Sequence, residues 1–345
     1  MKKTLLATAI AGAMVVSASA SAATVYNQDG TKLDIYGNIQ MVYTNINDAA
    51  GDSEDEITDN GTTFGFAAEH AITSDVTGYL KLEFDGIQAD EKKTTGFDEG
   101  GDQAYVGAKG SFGDVRLGSY DQLIDDWIQD PITNNEYFDV SDSTYDRTND
   151  NNVGSIRETD KVTYTSPSFG GLQFAVGSQY KGDAESDAEN ITDSGEASFF
   201  GGAKYTVGAF SLAAVYDNLD TFDVRNDGTG AEVGDFGDQY GVTAQYTMGS
   251  LRLSAKYEQF EDGSAAENDV DFAALGARYG YGMGDVYGAV QEVSYDESDR
   301  DDRTEVVVGG TYNISSAMYT YIEVASYDAD EDAYDGVATG ITYLF

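Results

Sequence analysis

No cysteine occurs among the 345 residues, so a disulfide, a thiolate metal site and a cysteine nucleophile are all excluded. His70 is the only histidine, which nearly removes zinc chemistry and leaves a serine triad without support. There are only two prolines and one tryptophan. Basic side chains are scarce: 19 Lys and Arg stand against 62 Asp and Glu, a net charge of −43. Nucleic acid and anionic surfaces are poor partners for such a chain. Self-repulsion of this size is best tolerated in concentrated salt, where the screening length falls to about 3 Å at 1 M, and the composition points to a marine or halophilic source. Beyond residue 22 no window approaches 18 consecutive apolar residues, so no membrane-spanning helix is expected.

What is present begins with a targeting pattern. Met1-Lys2-Lys3 is basic, Leu5–Val16 is apolar but too short to span a bilayer, and Ala20-Ser21-Ala22 is a small-residue cleavage site. Residues 1–22 are expected to be a cleaved signal peptide, leaving 23–345 as one exported domain. Removal of Lys2 and Lys3 would take the net charge to −45.

Forty glycines and 25 tyrosines suit many glycine-containing strands with aromatic ends. Alternating segments recur from Thr31 to Phe345, and sixteen strands are expected: 31–46, 61–72, 76–89, 101–110, 112–120, 158–166, 171–182, 196–207, 209–221, 236–248, 250–262, 268–279, 284–297, 302–314, 317–329 and 333–345. Short turns such as Thr73-Ser74-Asp75, Gly208 and Gly249 alternate with longer acidic connections at 47–60, 90–100, 121–157, 183–195 and 222–235. Short periplasmic turns and longer external loops have this pattern in outer-membrane barrels. Segment 47–60 carries Asp48, Asp52, Glu54, Asp55, Glu56 and Asp59 with no base.

Parity sorts chemistry within the strands. Leu80, Leu82 and Phe84 oppose Lys81, Glu83 and Asp85; Leu251, Leu253, Ala255 and Tyr257 alternate with Arg252, Ser254, Lys256 and Glu258. Apolar outside and charged inside describes a barrel with a wet lumen. The final strand ends on Phe345, as fits a girdle aromatic in a closed barrel.

Several stretches resemble the general porins of Gram-negative bacteria. They are Leu33-Asp34-Ile35-Tyr36-Gly37, the run from Tyr105 to Gly118, the run from Tyr164 to Leu172, and the terminal Phe345. The resemblance implies an all-β, sixteen-stranded antiparallel transmembrane barrel in the outer membrane. It further implies a homotrimer, passive diffusion of small hydrophilic solutes and ions, no enzymatic step and no cofactor. It also implies a third loop folded into the lumen, here 121–157, bearing Asp121, Asp125, Asp126, Asp130, Glu136 and Asp139. Leu123, Ile124, Trp127, Ile128, Ile132, Tyr137 and Phe138 in the same segment fit a packed position better than an exposed one. The basic wall that the family places opposite maps by parity and motif position to Lys32, Lys81, Arg116, Arg157 and Lys161. Thr63, Asp102 and Ser119 stand where similar porins carry arginine, and Asp102 with Glu83 makes that wall partly acidic. A depleted basic wall under an acidic loop is expected to favour cations.

Other readings carry less weight. An oligosaccharide-specific channel would line its lumen with aromatics, whereas the aromatics here mostly share the outward parity. A soluble acidic adhesin has no reason to sort its connections by length, and a barrel-shaped enzyme lacks a catalytic set. Asp328-Ala-Asp330-Glu-Asp332 opens like a calcium loop but has Ala333 in place of the required glycine, so no metal site is expected.

Overall fold

The computed structural model describes residues 22–48, 50–85, 89–90, 102–132, 135–140, 158–180, 191–225, 232–264, 269–296, 301–328 and 333–345. Sixteen barrel strands follow one another in chain order. They are β1 Thr31–Asn47, β2 in two pieces (Ser53–Asp59 and Phe64–Ala71), β3 Val76–Phe84, β4 Ala104–Gly110, β5 Gly113–Ser119, β6 Lys161–Thr165, β7 Leu172–Gln179 and β8 (Ile191–Asp193 and Ser198–Val207). Then come β9 (Phe210–Asp217 and Phe222–Arg225), β10 Glu232–Met248, β11 Leu251–Ser264, β12 Val270–Gly280, β13 Asp285–Tyr295, β14 Arg303–Ser315, β15 Met318–Ser326 and β16 Gly336–Leu344. Each pairs antiparallel with the next, and β16 closes on β1 through Asn38↔Leu344 to Ile46↔Gly336. Closure satisfies the backbone donors and acceptors that an edge strand would leave open, which a membrane demands.

A further strand, Ala23–Gln28, was not expected. It pairs with the start of β1, and its register (Ala23↔Ile35) begins where that of β16 ends. Between the two, Gly37 and Phe345 exchange backbone hydrogen bonds of 3.0 and 2.9 Å.

The acidic connection expected at 47–60 is largely strand: Ser53–Asp59 pairs with Met41–Asn47. Ile191–Asp193 likewise pairs with Phe222–Val224 inside stretches expected to be loop. These are strands carried beyond the apolar belt into water, where acids replace the apolar partner of the alternation and hide its period.

Solvent exposure is inverted relative to a water-soluble fold. Leu117, Val176, Leu275, Val308, Ile322 and Val324 are all more than half exposed, while Gln239, Glu258, Gln291 and Glu323 are buried. Burying one large apolar side chain is worth about 1.5–3 kcal/mol, so an outer wall of them is stable only against hydrocarbon. No helix of the described residues is long and apolar enough to cross a membrane, and the strands do the crossing.

Candidate functional site

From Tyr120, at the end of β5, the chain turns against the inner faces of the strands. Leu123 and Ile124 lead into a single π-helical turn, Asp125–Gln129. Ile124, Trp127 and Ile128 share one face of it and pack on Ala175 of β7 and Ala213 and Val215 of β9. Small wall residues allow this approach; a Cβ on Gly241 would lie 2.7 Å from Ile128. Thr243 donates to the Ile128 carbonyl at 2.6 Å, and Gln129 donates to Glu258 at 3.0 Å. The other face of the turn presents Asp126 and Asp130, both exposed.

Farther along, Ile132, Phe138 and Val140 join Val42, Ala274, Ala289, Val307, Tyr321 and Ala338 in the largest apolar cluster. Glu323 of β15 accepts the backbone N–H groups of Glu136, Tyr137 and Phe138 at 2.6, 2.9 and 2.9 Å, and the Tyr287 hydroxyl at 2.6 Å. Glu136 accepts from Tyr319 at 2.9 Å and has Arg278 at 3.7 Å. Residues 120–132 and 135–140 thus lie along the wall from β5 to β15. Asp125 and Asp121 are half-buried, Asp121 accepting from Gln103 at 2.8 Å, and Asp139 is exposed.

The enclosing wall strips hydration from the turn's two exposed carboxylates and raises both, Asp126 to about 6 and Asp130 to about 7. Neighbouring carboxylates add to this, Asp121 for the first and Asp126 for the second, while Arg116 and Lys204 pull Asp126 back. Both side chains remain open to lumen water, which limits how much hydration they lose. Burial also raises Glu136, against the pull of Tyr319 and Arg278.

The five bases named from the sequence occupy different settings. Lys32 pairs with Asp34 at 2.6 Å, and Lys81 pairs with Glu83 at 3.1 Å while donating to Gln103. Arg116 lies between the rings of Tyr105 and Tyr120, 4.8 and 4.7 Å from their centroids. Lys161 is only 2% exposed, packed on the Tyr120 ring and closed off from lumen water. Arg157 lies outside the described residues. Asp102, two residues before the start of β4, donates its backbone N–H to the Glu83 carbonyl at 3.0 Å, and burial and the nearby Glu83 carboxylate raise its own carboxyl.

Bases beyond the five assigned to the pore wall are Lys204, Arg252, Lys256, Arg278 and Arg303, of which parity puts Arg252 and Lys256 on the charged face. Two of them repeat the pattern seen at Lys32 and Lys81: Lys256 pairs with Glu258 at 3.0 Å and Arg303 with Glu305 at 2.6 Å. In all four cases the carboxylate stands two residues on, where the period of a strand puts it on the same face. The spacing was open to view in the sequence. Many aromatics take the outward parity, as expected, and beside them an inner row exists: the Tyr36 and Tyr79 rings cover Gly65 and Gly107 of neighbouring strands, and Tyr105 stacks edge-on with Tyr79 and Tyr120. Glycine beside each ring supplies the space.

Comparison with known proteins agrees with this architecture. A family model described as Gram-negative porin matches residues 7–332. A "Monosaccharide porin" of a Halomonas species and the "Major outer membrane protein" of Halomonas elongata are each 56% identical over the full length of both chains. Outer membrane protein F of Serratia marcescens is 26% identical, again end to end. Among solved structures, an anion-selective porin from Comamonas acidovorans superposes with a TM-score of 0.72 at 18% identity, covering 91% of this chain and 100% of that one. Salmonella typhi OmpF in complex with daunomycin gives 0.71 at 20%, covering 94% and 100%. At such identities these structures share the fold alone. The halophilic reading of the composition agrees with the Halomonas relatives. The barrel, its inverted exposure and its polar lumen are those of a passive channel in the outer membrane, and the chain belongs to the Gram-negative porin family.

Proposed function

We propose that this channel prefers cations, passes small neutral solutes of monosaccharide size without chemical change, and works as a trimer. One observation carries the charge preference. Asp126 and Asp130 face lumen water, whereas the wall bases Lys32, Lys81, Lys256 and Arg303 are each paired with a carboxylate on their own strand. The paired charges largely cancel, and the loop's acids set the sign of the field at the constriction. A reversal potential in a potassium chloride gradient tests this. A cation-selective sign is expected; an anion-selective one overturns the preference and leaves the channel.

The solute class is supported by the name of the Halomonas relative, and swelling of proteoliposomes in glucose tests it. Assembly is supported by the outer wall. Tyr164, Tyr205, Tyr216, Tyr246, Tyr257 and Tyr279 are exposed on β6–β12, whereas among the described residues no tyrosine takes the outward parity on β2–β5. Tyrosines mark surfaces that meet lipid headgroups, and a face without them suits contact with another copy. Cross-linking in outer membranes tests it, with monomers alone as the opposing result. Residues 1–22 serve as the export signal in this reading, and amino-terminal sequencing of the mature protein checks it. The short turns then face the periplasm and the long connections the exterior.

A further inference from the structure

A recess of about 160 Å³ opens between the root of the loop and the inner faces of β5, β6 and β7. Its polar lining comes from both sides: Asp114 and Arg116 from β5, Asp121 and Asp126 from the loop, Thr165 from β6 and Gln173 from β7. Tyr120 and Trp127 contribute aromatic surface.

These groups are held from behind. The Tyr79 hydroxyl donates to Asp114, the Gln103 amide donates to Asp121 at 2.8 Å, and Gln173 donates to the Ser166 carbonyl at 3.1 Å. Arg116 is fixed between two tyrosine rings. No carboxylate forms an ion pair with it among the described residues, in contrast to the wall bases paired two residues on. It meets the Tyr79 hydroxyl on one side and lines the recess on the other.

We infer that this recess binds a monosaccharide in its pyranose form, a step beyond the passage of sugars proposed above and resting on it. Carboxylates accept from neighbouring ring hydroxyls, a fixed guanidinium donates to the ring or hydroxyl oxygens, and aromatic edges meet the apolar C–H groups. The excess of carboxylates disfavours anionic sugars. Fixed partners reduce the ordering needed on binding, so the site can hold a sugar briefly without halting flow.

The test uses the full-length protein in a planar bilayer, with potassium current recorded as D-glucose is added. A saturable fall in current is expected, with mannitol, an open-chain polyol, much weaker. Arg116→Lys and Asp126→Asn should each raise the half-saturating glucose concentration about tenfold, the equivalent of one good hydrogen bond to a charged group. Glu292→Gln, on the outer wall, should leave it unchanged. Heat-modifiable gel mobility confirms that each variant has folded, and the wild-type comparison of glucose with mannitol does not depend on variants. Linear dependence on glucose, equal effects of glucose and mannitol, or saturation untouched by both substitutions in folded protein would each overturn the site. Liposome swelling in glucose separates the cases: swelling with no saturable block removes the site and keeps sugar passage, whereas no swelling removes sugar passage as well.

Discussion

Lys256 and Glu258 form a 3.0 Å ion pair two residues apart on β11, with neither side chain exposed. Glu258 also accepts from Gln239 and from Gln129 of the helical turn, so one carboxylate neutralises a wall base and anchors the loop. Glu258→Gln should leave Lys256 buried without its counter-charge and cost about 3–5 kcal/mol, the range for breaking such a pair. The temperature at which the folded band disappears on a gel should fall accordingly. An unchanged temperature would mean that water reaches the pair.

Glu323 holds the far end of the same segment through three backbone amides. Glu323→Ala removes their acceptor, at about 1–3 kcal/mol for each buried group left unsatisfied. Single-channel records should show larger and noisier conductance, because the segment can leave the wall. A quiet trace of wild-type amplitude would place the restraint in the apolar cluster around Phe138 instead.

Acidification should act on Asp126 and Asp130. Their folded values, about 6 and about 7, stand above the 3.8 of an unperturbed aspartate, so the folded protein holds protons through this window that the unfolded chain has released. Stability from these two groups is therefore greatest near the lower end of the window and falls as pH rises through 6 to 7. Cation preference should move the other way, weakening between pH 8 and pH 5 as the carboxylates become neutral. Reversal potentials across that range check the second effect. A preference independent of pH would assign it to other acids.

Much of the barrel was legible because a strand in a membrane wall must alternate, and the sixteen alternating segments correspond one to one with β1–β16. Legibility ended where water lies on both sides: the acids of Ser53–Asp59 carry no apolar mark of a strand. Within the site, the acidic and apolar halves of 121–138 were visible as composition. The anchors Glu258 and Glu323 were not, since their partners lie 129 and 185 to 187 residues away in sequence. Lys256 could be assigned to the charged face by parity, but its neutralisation by Glu258 needed the i to i+2 spacing to be read as a pair.

Gly107 lies beneath the Tyr79 ring, where an added Cβ would come within 2.2 Å of a ring carbon. Gly107→Ala should destabilise the barrel by about 1–3 kcal/mol, as overpacking does. Tyr79→Leu in the same chain should recover part of the loss. Melting of the two variants decides it, and an undisturbed single variant would show that the ring can swing aside.

Glu323 stands on the last strand but one, yet it binds a segment that leaves the wall after the fifth. Contacts this distant in sequence form late in folding, once the intervening chain has been placed. The far end of the constriction therefore cannot be fastened while the cylinder is still being assembled. An intermediate that has inserted but lacks β15 has a loose segment and a wider passage, and narrowing of the pore reports that assembly is nearly complete.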